Sequence, residues 1–335
     1  MFEGFKMLSR VCGIAVLTTG LTTALPAAAQ DHVKVGLLRI GNPVVIGIEK
    51  GFFAEYGVEV EPVYLRSGAE QIPALSTGTV DVMLSSASSA LFNAMDAGID
   101  MTIASDYLSL LPNNPSHGLL VRKDLFDSGE VTTAADLAGH TIGITAIGVY
   151  THQAAIRILN HVGLSTDDVR LVAMPYPDMV AALANGAIDS ANMVEPFITL
   201  ATEAGDAVLL VDHSDVMPNL QLALTVLGPR LAEEDHDLGV RFMKGLVKSM
   251  RYMHGMLDDE ERKAEIAELM QLHLPGKDPE IYARMSWPLT APGQAVNIES
   301  LSAQMSFYQD QGFVTGNPDI ESFVDPSFLE AVNAE

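Results

Sequence analysis

The chain has 335 residues, a formal net charge of −24, 48% hydrophobic residues and one cysteine. That length suffices for two lobes with separate cores, while so acidic a surface repels nucleic acid and anionic membranes, because phosphate contacts need clustered Lys and Arg. The cysteine, Cys12, lies within the first thirty residues, so disulfides, thiolate metal sites and cysteine nucleophiles are excluded from the remainder.

Lys6 and Arg10 precede an apolar run over 11–25 and then Pro26-Ala27-Ala28-Ala29. This charged, apolar, small-residue order is that of a secretory signal peptide over 1–29, cleaved near Ala29, and it implies an exported protein. Either Met1 or Met7 serves as the start. Without Glu3, Lys6 and Arg10 the mature chain carries 17 basic and 42 acidic residues, a net charge of −25.

The spacing predicts strands over 33–38, 58–65, 80–84 and 101–105, separated by helices over 44–56, 69–77 and 88–97. Gly57 and Gly78 close the first two helices in the position where a left-handed residue ends a helix. A Pro- and Asn-rich loop over 108–115 leads to a strand over 118–122 that leaves this unit. A second unit follows, with strands over 141–145, 169–174, 190–193 and 208–210 and a helix over 153–162. An extended run over 220–227 returns the chain. Helices are then expected over 235–257, 259–273, 278–285 and 298–311, packed back on the first unit.

Ala74-Leu75-Ser76-Thr77-Gly78-Thr79-Val80-Asp81 is echoed by Ala182-Leu183-Ala184-Asn185-Gly186-Ala187-Ile188-Asp189. The echo makes the units kindred α/β lobes, each a mixed, mostly parallel sheet flanked by helices, joined by a two-strand hinge. The expected boundaries are 31–118 for the first part of lobe 1, 119–222 for lobe 2 and 223–335 for the second part of lobe 1. Paired lobes leave a cleft, and ligands of open α/β sheets sit at the carboxyl ends of the strands.

Those strand ends nominate the site. Arg39, Gly41 and Asn42 follow the first strand; Arg39 either clamps a carboxylate or sulfonate in bidentate fashion or pairs with a surface acid. Ser67 follows the second strand and Ser85 and Ser86 end the third, as helix caps or as ligand contacts. In lobe 2, Gly148 frees the backbone before Tyr150, Thr151 and His152, with His152 either an oxyanion donor or a solvated first-turn residue. Tyr176, Asn192 and Glu195 complete the rim, Glu195 either accepting from an amine or bracing the interlobe strand. Trp287 is placed in the core. The sequence holds no dinucleotide, phosphate-loop, nucleophile-elbow or zinc-protease motif, so binding without chemistry is the simpler account and no cofactor or metal is implied.

Glu49-Lys50-Gly51-Phe52-Phe53, Tyr56-Gly57-Val58-Glu59-Val60, residues 74–81, Asp136-Leu137-Ala138-Gly139, Asp168-Val169, residues 182–189 and Glu195-Pro196 together resemble the periplasmic solute-binding proteins of the nitrate, sulfonate and taurine type, whose domain is shared with thiamine-pyrimidine proteins. The resemblance covers roughly 33–210. It implies a type II periplasmic-binding-protein fold that closes on a small ligand, organic and anionic or heteroaromatic, and delivers it as a monomer to the permease subunits of an ABC transporter. It places ligand contacts at 39–42, 85–87 and 148–152. Val149 and Tyr150 replace a pair that is commonly Gly-Ser or Gly-Thr, which tells against a plain sulfonate or nitrate. The alternatives are a thiamine-pyrimidine-synthase-like enzyme, whose family chemistry uses a cysteine-rich segment, and a ligand-sensing binding protein.

Overall fold

Apart from Met1, the computed structural model describes residues 30–274, 279–291 and 293–334. The remainder of the expected signal peptide lies outside the described residues. In chain order the strands are β1 (Asp31–Leu37), β2 (Val58–Tyr64), β3 (Val82–Ser86), β4 (Thr102–Ser109), β5 (His117–Arg122), β6 (Thr141–Ile144), β7 (Arg170–Ala173), β8 (Ser190–Val194), β9 (Ala207–Asp212) and β10 (Gln221–Leu227). The helices are α1 (Pro43–Glu49), α2 (Gln71–Ser76), α3 (Ser89–Asp96), α4 (Lys123–Ser128), α5 (Tyr150–His161), α6 (Tyr176–Asn185), α7 (Phe197–Glu203), α8 (His213–Val216), α9 (His236–His254), α10 (Glu260–Gln271), α11 (Pro279–Arg284), α12 (Ile298–Asp310) and α13 (Ser327–Asn333). Each expected strand is present, its ends moved by a few residues.

The strands form two five-stranded sheets of identical plan, β2-β1-β3-β10-β4 and β7-β6-β8-β5-β9. In each sheet the fourth strand runs antiparallel to both neighbours. That strand comes from the other half of the chain: β5 follows β4 into the second sheet, and β10 follows β9 back into the first. Between the sheets the two crossings pair with each other, Leu110 N–H donating to Leu220 O at 2.9 Å and Asn219 N–H to Leu110 O at 3.0 Å. Each sheet is buried on both faces. Along β5, Leu120 faces one core while Leu119 and Val121 face another, the period-2 alternation expected of a covered strand.

The sequence echo has a structural counterpart. Asp81, between α2 and β3, donates its N–H to Lys34 O and accepts the Lys34 N–H on its carboxylate, both at 2.8 Å. Asp189, between α6 and β8, does the same with Thr141, at 3.3 and 2.9 Å. Each carboxylate also meets a guanidinium at the far end of the crossing strand, Arg230 at 2.9 Å from Asp81 and Arg122 at 3.4 Å from Asp189. The repeat therefore preserves a clasp that holds the second, third and fourth strands of each sheet together.

Two helices depart from expectation. The helix expected over 44–56 ends at Glu49, because Gly51 turns left-handed (φ 70°) and the chain resumes as a 3-10 turn over Ala54–Tyr56. The turn sends Phe53 inward to stack on Phe242, centroids 5.4 Å apart, burial that outweighs the few helical bonds forgone. The helix expected over 153–162 begins at Tyr150, so Tyr150, Thr151 and His152 are buried first-turn residues rather than a solvated loop. In the tail, α9 packs on α1 and α13 on α9, while α11 reaches α7 of the second lobe. Trp287 is buried with Val45, Ile46 and Met285.

Asp81→Ala and Asp189→Ala should each destabilise the chain by about 0.5–1.5 kcal/mol, the net loss of the hydrogen bond to a strand amide, since Arg230 keeps His32 O and Arg122 keeps Asp124. Urea unfolding reads this directly, and a loss under about 0.5 kcal/mol would make the clasp incidental.

Candidate functional site

The sheets face each other with the carboxyl ends of their parallel strands, and a cavity lies between them. It is bounded in lobe 1 by the ends of β1, β3 and β4 and the start of β10, and in lobe 2 by the start of β5, the ends of β6 and β8, and the first turns of α5 and α6. Its volume is about 50 Å³, room for roughly three to five water-sized groups. Among the described residues, no Lys, Arg, Asp or Glu lines it. His117 does, and burial pushes its imidazole down to about 3, so it is neutral. Burial likewise holds the Tyr107, Tyr150 and Tyr176 phenols protonated, well above their ordinary range. The site is thus an uncharged, aromatic chamber inside a strongly acidic protein.

A buried chain fixes Tyr150. Asn192 Nδ2 donates to Thr151 O at 3.1 Å, which leaves Asn192 Oδ1 as acceptor for His213 Nε2–H at 2.9 Å. His213 Nδ1 then accepts the Tyr150 hydroxyl at 2.6 Å. This order requires a neutral imidazole, and burial, assisted by His117, holds the His213 pKa well below its ordinary value. Thr151 Oγ1 accepts the Thr145 N–H at 2.9 Å and pairs with the Thr145 hydroxyl at 2.8 Å, tying the start of α5 to the end of β6.

Of the residues nominated from the sequence, Ser86, Tyr150, Thr151 and Tyr176 line the cavity. Ser85 is not part of the lining; its buried hydroxyl, without a protein partner, lies 3.8 Å from where a Cβ on the lining residue Gly68 would stand. The others lie outside the lining, for identifiable reasons. Arg39 is exposed, its guanidinium 4.1 Å above the Tyr64 ring. Gly41 packs beside Met285 and Trp287. Asn42 caps α1 by accepting the Val45 N–H at 3.1 Å, and Ser67 precedes a 3-10 turn over Gly68–Glu70. Asn192 is the second layer behind Tyr150.

Gly148, His152 and Glu195 join the lobes. Gly148 O accepts both the N–H and the hydroxyl of Ser89 in lobe 1, each at 3.0 Å, while Gly148 N–H donates to His152 Nδ1 at 3.1 Å. At φ 74°, a Cβ on Gly148 would come within 2.3 Å of Ser89 Oγ. The His152 ring meets Phe313 edge-on at 5.2 Å, and Arg157 lies 4.6 Å from the Phe307 ring centre. On the opposite rim Glu195 accepts from Thr199 N at 3.0 Å, Thr199 Oγ1 at 2.9 Å and Ser286 N at 3.4 Å. Arg284 grips Glu203 there with two bonds of 2.6 and 2.8 Å.

Sequence reasoning missed Gln71, Tyr107, His117 and Leu222, which all line the cavity. Gln71 had a faint signal as the polar member of Gln71-Ile72-Pro73-Ala74-Leu75. The other three had none, since their approach depends on strand pairing between distant segments.

Burial raises the Glu195 carboxyl from 4.5 to about 7 against the opposing hydrogen bonds from Thr199 and Ser286. The folded chain therefore holds a proton that the unfolded chain has released. The associated stability is fully present below pH 4.5 and is lost as pH rises through about 7. Glu195→Gln should remove on the order of 1–3 kcal/mol of the stability difference between about pH 5 and pH 8. Urea unfolding at both pH values checks this, and an unchanged difference would locate the titration elsewhere.

Similarity to known proteins agrees with this geometry. A protein of Bacillus subtilis (strain 168) named for aliphatic sulfonate binding is 27% identical over 244 residues, covering 69% of this chain and 70% of the relative. An ABC transporter periplasmic binding protein of Brachyspira hyodysenteriae (strain ATCC 49526 / WA1) is 30% identical over 224 residues, 65% of this chain and 64% of the relative. The solved alkanesulfonate-binding protein SsuA from Xanthomonas axonopodis pv. citri, bound to MOPS, superposes with a TM-score of 0.72 at 19% identity, covering 89% of this chain and 99% of that one. The last shows that the fold is that of a type II periplasmic binding protein. These relatives are named for binding and not for catalysis. With the NMT1-like family matched over residues 27–271, the chain belongs to that family.

Proposed function

We propose that this chain is the periplasmic substrate-binding component of an ABC-type importer, capturing a small organic ligand between its lobes and presenting it, as a monomer, to membrane permease subunits. The observation that carries this reading is the position of the cavity: it is walled by both sheets and reached by both crossings, so occupancy and lobe closure are one event. Two contact sets seal opposite rims, Ser89 with Gly148 on one side and Arg284 with Glu203 on the other. A ligand that touches both lobes shifts the population toward the shut form by its differential affinity for that form. The names of the relatives point to sulfonate-type ligands, carboxylates and heteroaromatic compounds being the other classes that fit the resemblance. Export with removal of the leader near Ala29 is part of the same proposal. Among the described residues no helix is long and apolar enough to cross a membrane.

Gly148→Ala is the sharpest test. The added methyl strains a left-handed residue by about 1–2 kcal/mol and pushes against Ser89, so the lobes should stay apart. Ligand affinity should fall about tenfold or more, with far-UV dichroism unchanged and with no contraction of the radius of gyration on adding a ligand found by thermal-shift screening. Ser89→Ala in the same background should restore part of the loss. Undiminished affinity and normal contraction in Gly148→Ala would remove closure at this contact from the mechanism.

A further inference from the structure

Resting on the reading of the cavity as a ligand site, we infer that Gln71 and Ser85 form a corner that selects an uncharged group presenting a hydrogen-bond donor beside an acceptor, such as a carboxamide, ureide or lactam edge, over a bare anionic head. The orientation of the Gln71 amide is fixed by its partner. Nε2 donates to Leu84 O at 3.1 Å, and a carbonyl can only accept, so the nitrogen end must face Leu84 and Oε1 is the free end. Gln71 is fully buried, and its Oε1 has no protein partner. A lone buried amide oxygen is matched by a ligand N–H or O–H and repelled by a sulfonate or carboxylate oxygen.

Ser85 adds the complementary element. Its hydroxyl is buried and unpartnered, and it is free to donate to a carbonyl. Gly68, which lines the cavity, lies against both hydroxyls: a Cβ there would be 3.5 Å from Ser86 Oγ and 3.8 Å from Ser85 Oγ. No cationic side chain lines the cavity among the described residues, and Arg39 is turned out onto Tyr64. A full negative charge in this corner would face the Gln71 carbonyl oxygen with no cationic side chain in the lining to offset it.

The test uses the full mature chain and two series of small probes in calorimetry and thermal shift: butyramide, 2-pyridone and uracil against butyrate, propane-1-sulfonate and benzoate. The uncharged series should bind at least tenfold tighter. Gln71→Met should weaken that series by about tenfold and Ser85→Ala by about threefold to tenfold, the loss of one neutral hydrogen bond each. Ser85→Ala keeps the question open to refutation should Gln71→Met fold poorly. Binding confined to the anions, with Ser85→Ala unaffected, overturns the inference and leaves the ligand-binding reading standing. A folded chain that responds to neither series overturns both.

Discussion

The exchange of β5 and β10 between the sheets constrains everything else in this molecule. Each enters antiparallel, so each begins where its parallel neighbour ends: His117 at the start of β5 lies opposite Val194 at the end of β8, and Ala223 near the start of β10 lies opposite Ser86 at the end of β3. The crossings consequently enter both sheets at the carboxyl edges that wall the cavity. The paired crossings therefore lead straight into the cavity, whose lining includes His117 and Leu222 near the starts of the exchanged strands, while a carboxylate clasp ties each exchanged strand into its sheet.

Charge is arranged to leave that region neutral. Apart from the buried Asp106 and Glu195, the described acidic residues sit at the surface or partly exposed, often paired with bases as in Arg241 with Asp31 and Asp237, whereas the chamber uses hydroxyls, amides and a neutral imidazole. His117 and His213 are both held neutral, and the second is committed at both nitrogens. The carboxyls that burial raises toward neutral pH, Asp106 to about 6 and Glu195 to about 7, lie outside the cavity lining.

Much of this was legible in the sequence, because it rests on local signals. Alternation located all ten strands, and Gly57 and Gly78 marked ends of helical segments by left-handed geometry that few other residues tolerate, Gly57 closing a 3-10 turn rather than the long helix expected. The 74–81 echo revealed the second lobe. The site was only half legible. Strand ends nominated Ser86, Tyr150, Thr151 and Tyr176, which line the cavity, since in a parallel sheet those ends converge. Arg39 follows the first strand but lies outside the lining, its guanidinium over the Tyr64 ring. Asn42 had a helix to cap. Tyr107, His117 and Leu222 were invisible because no local pattern tells which strand of a mixed sheet will be the exchanged one.

Gly148 shows how such hidden couplings join the parts. Its amide needs an acceptor, and His152 Nδ1 can be one only while unprotonated; burial lowers the His152 pKa and secures that state. With its N–H fixed, the Gly148 carbonyl points at Ser89 across the cleft and takes two donors from the start of α3. The same peptide thus orders the first turn of α5, where Tyr150 and Thr151 wall the cavity, and fastens lobe 2 to lobe 1. The bond from Gly148 N–H to His152 lies wholly within lobe 2, so the order of the α5 turn does not depend on the contact with Ser89.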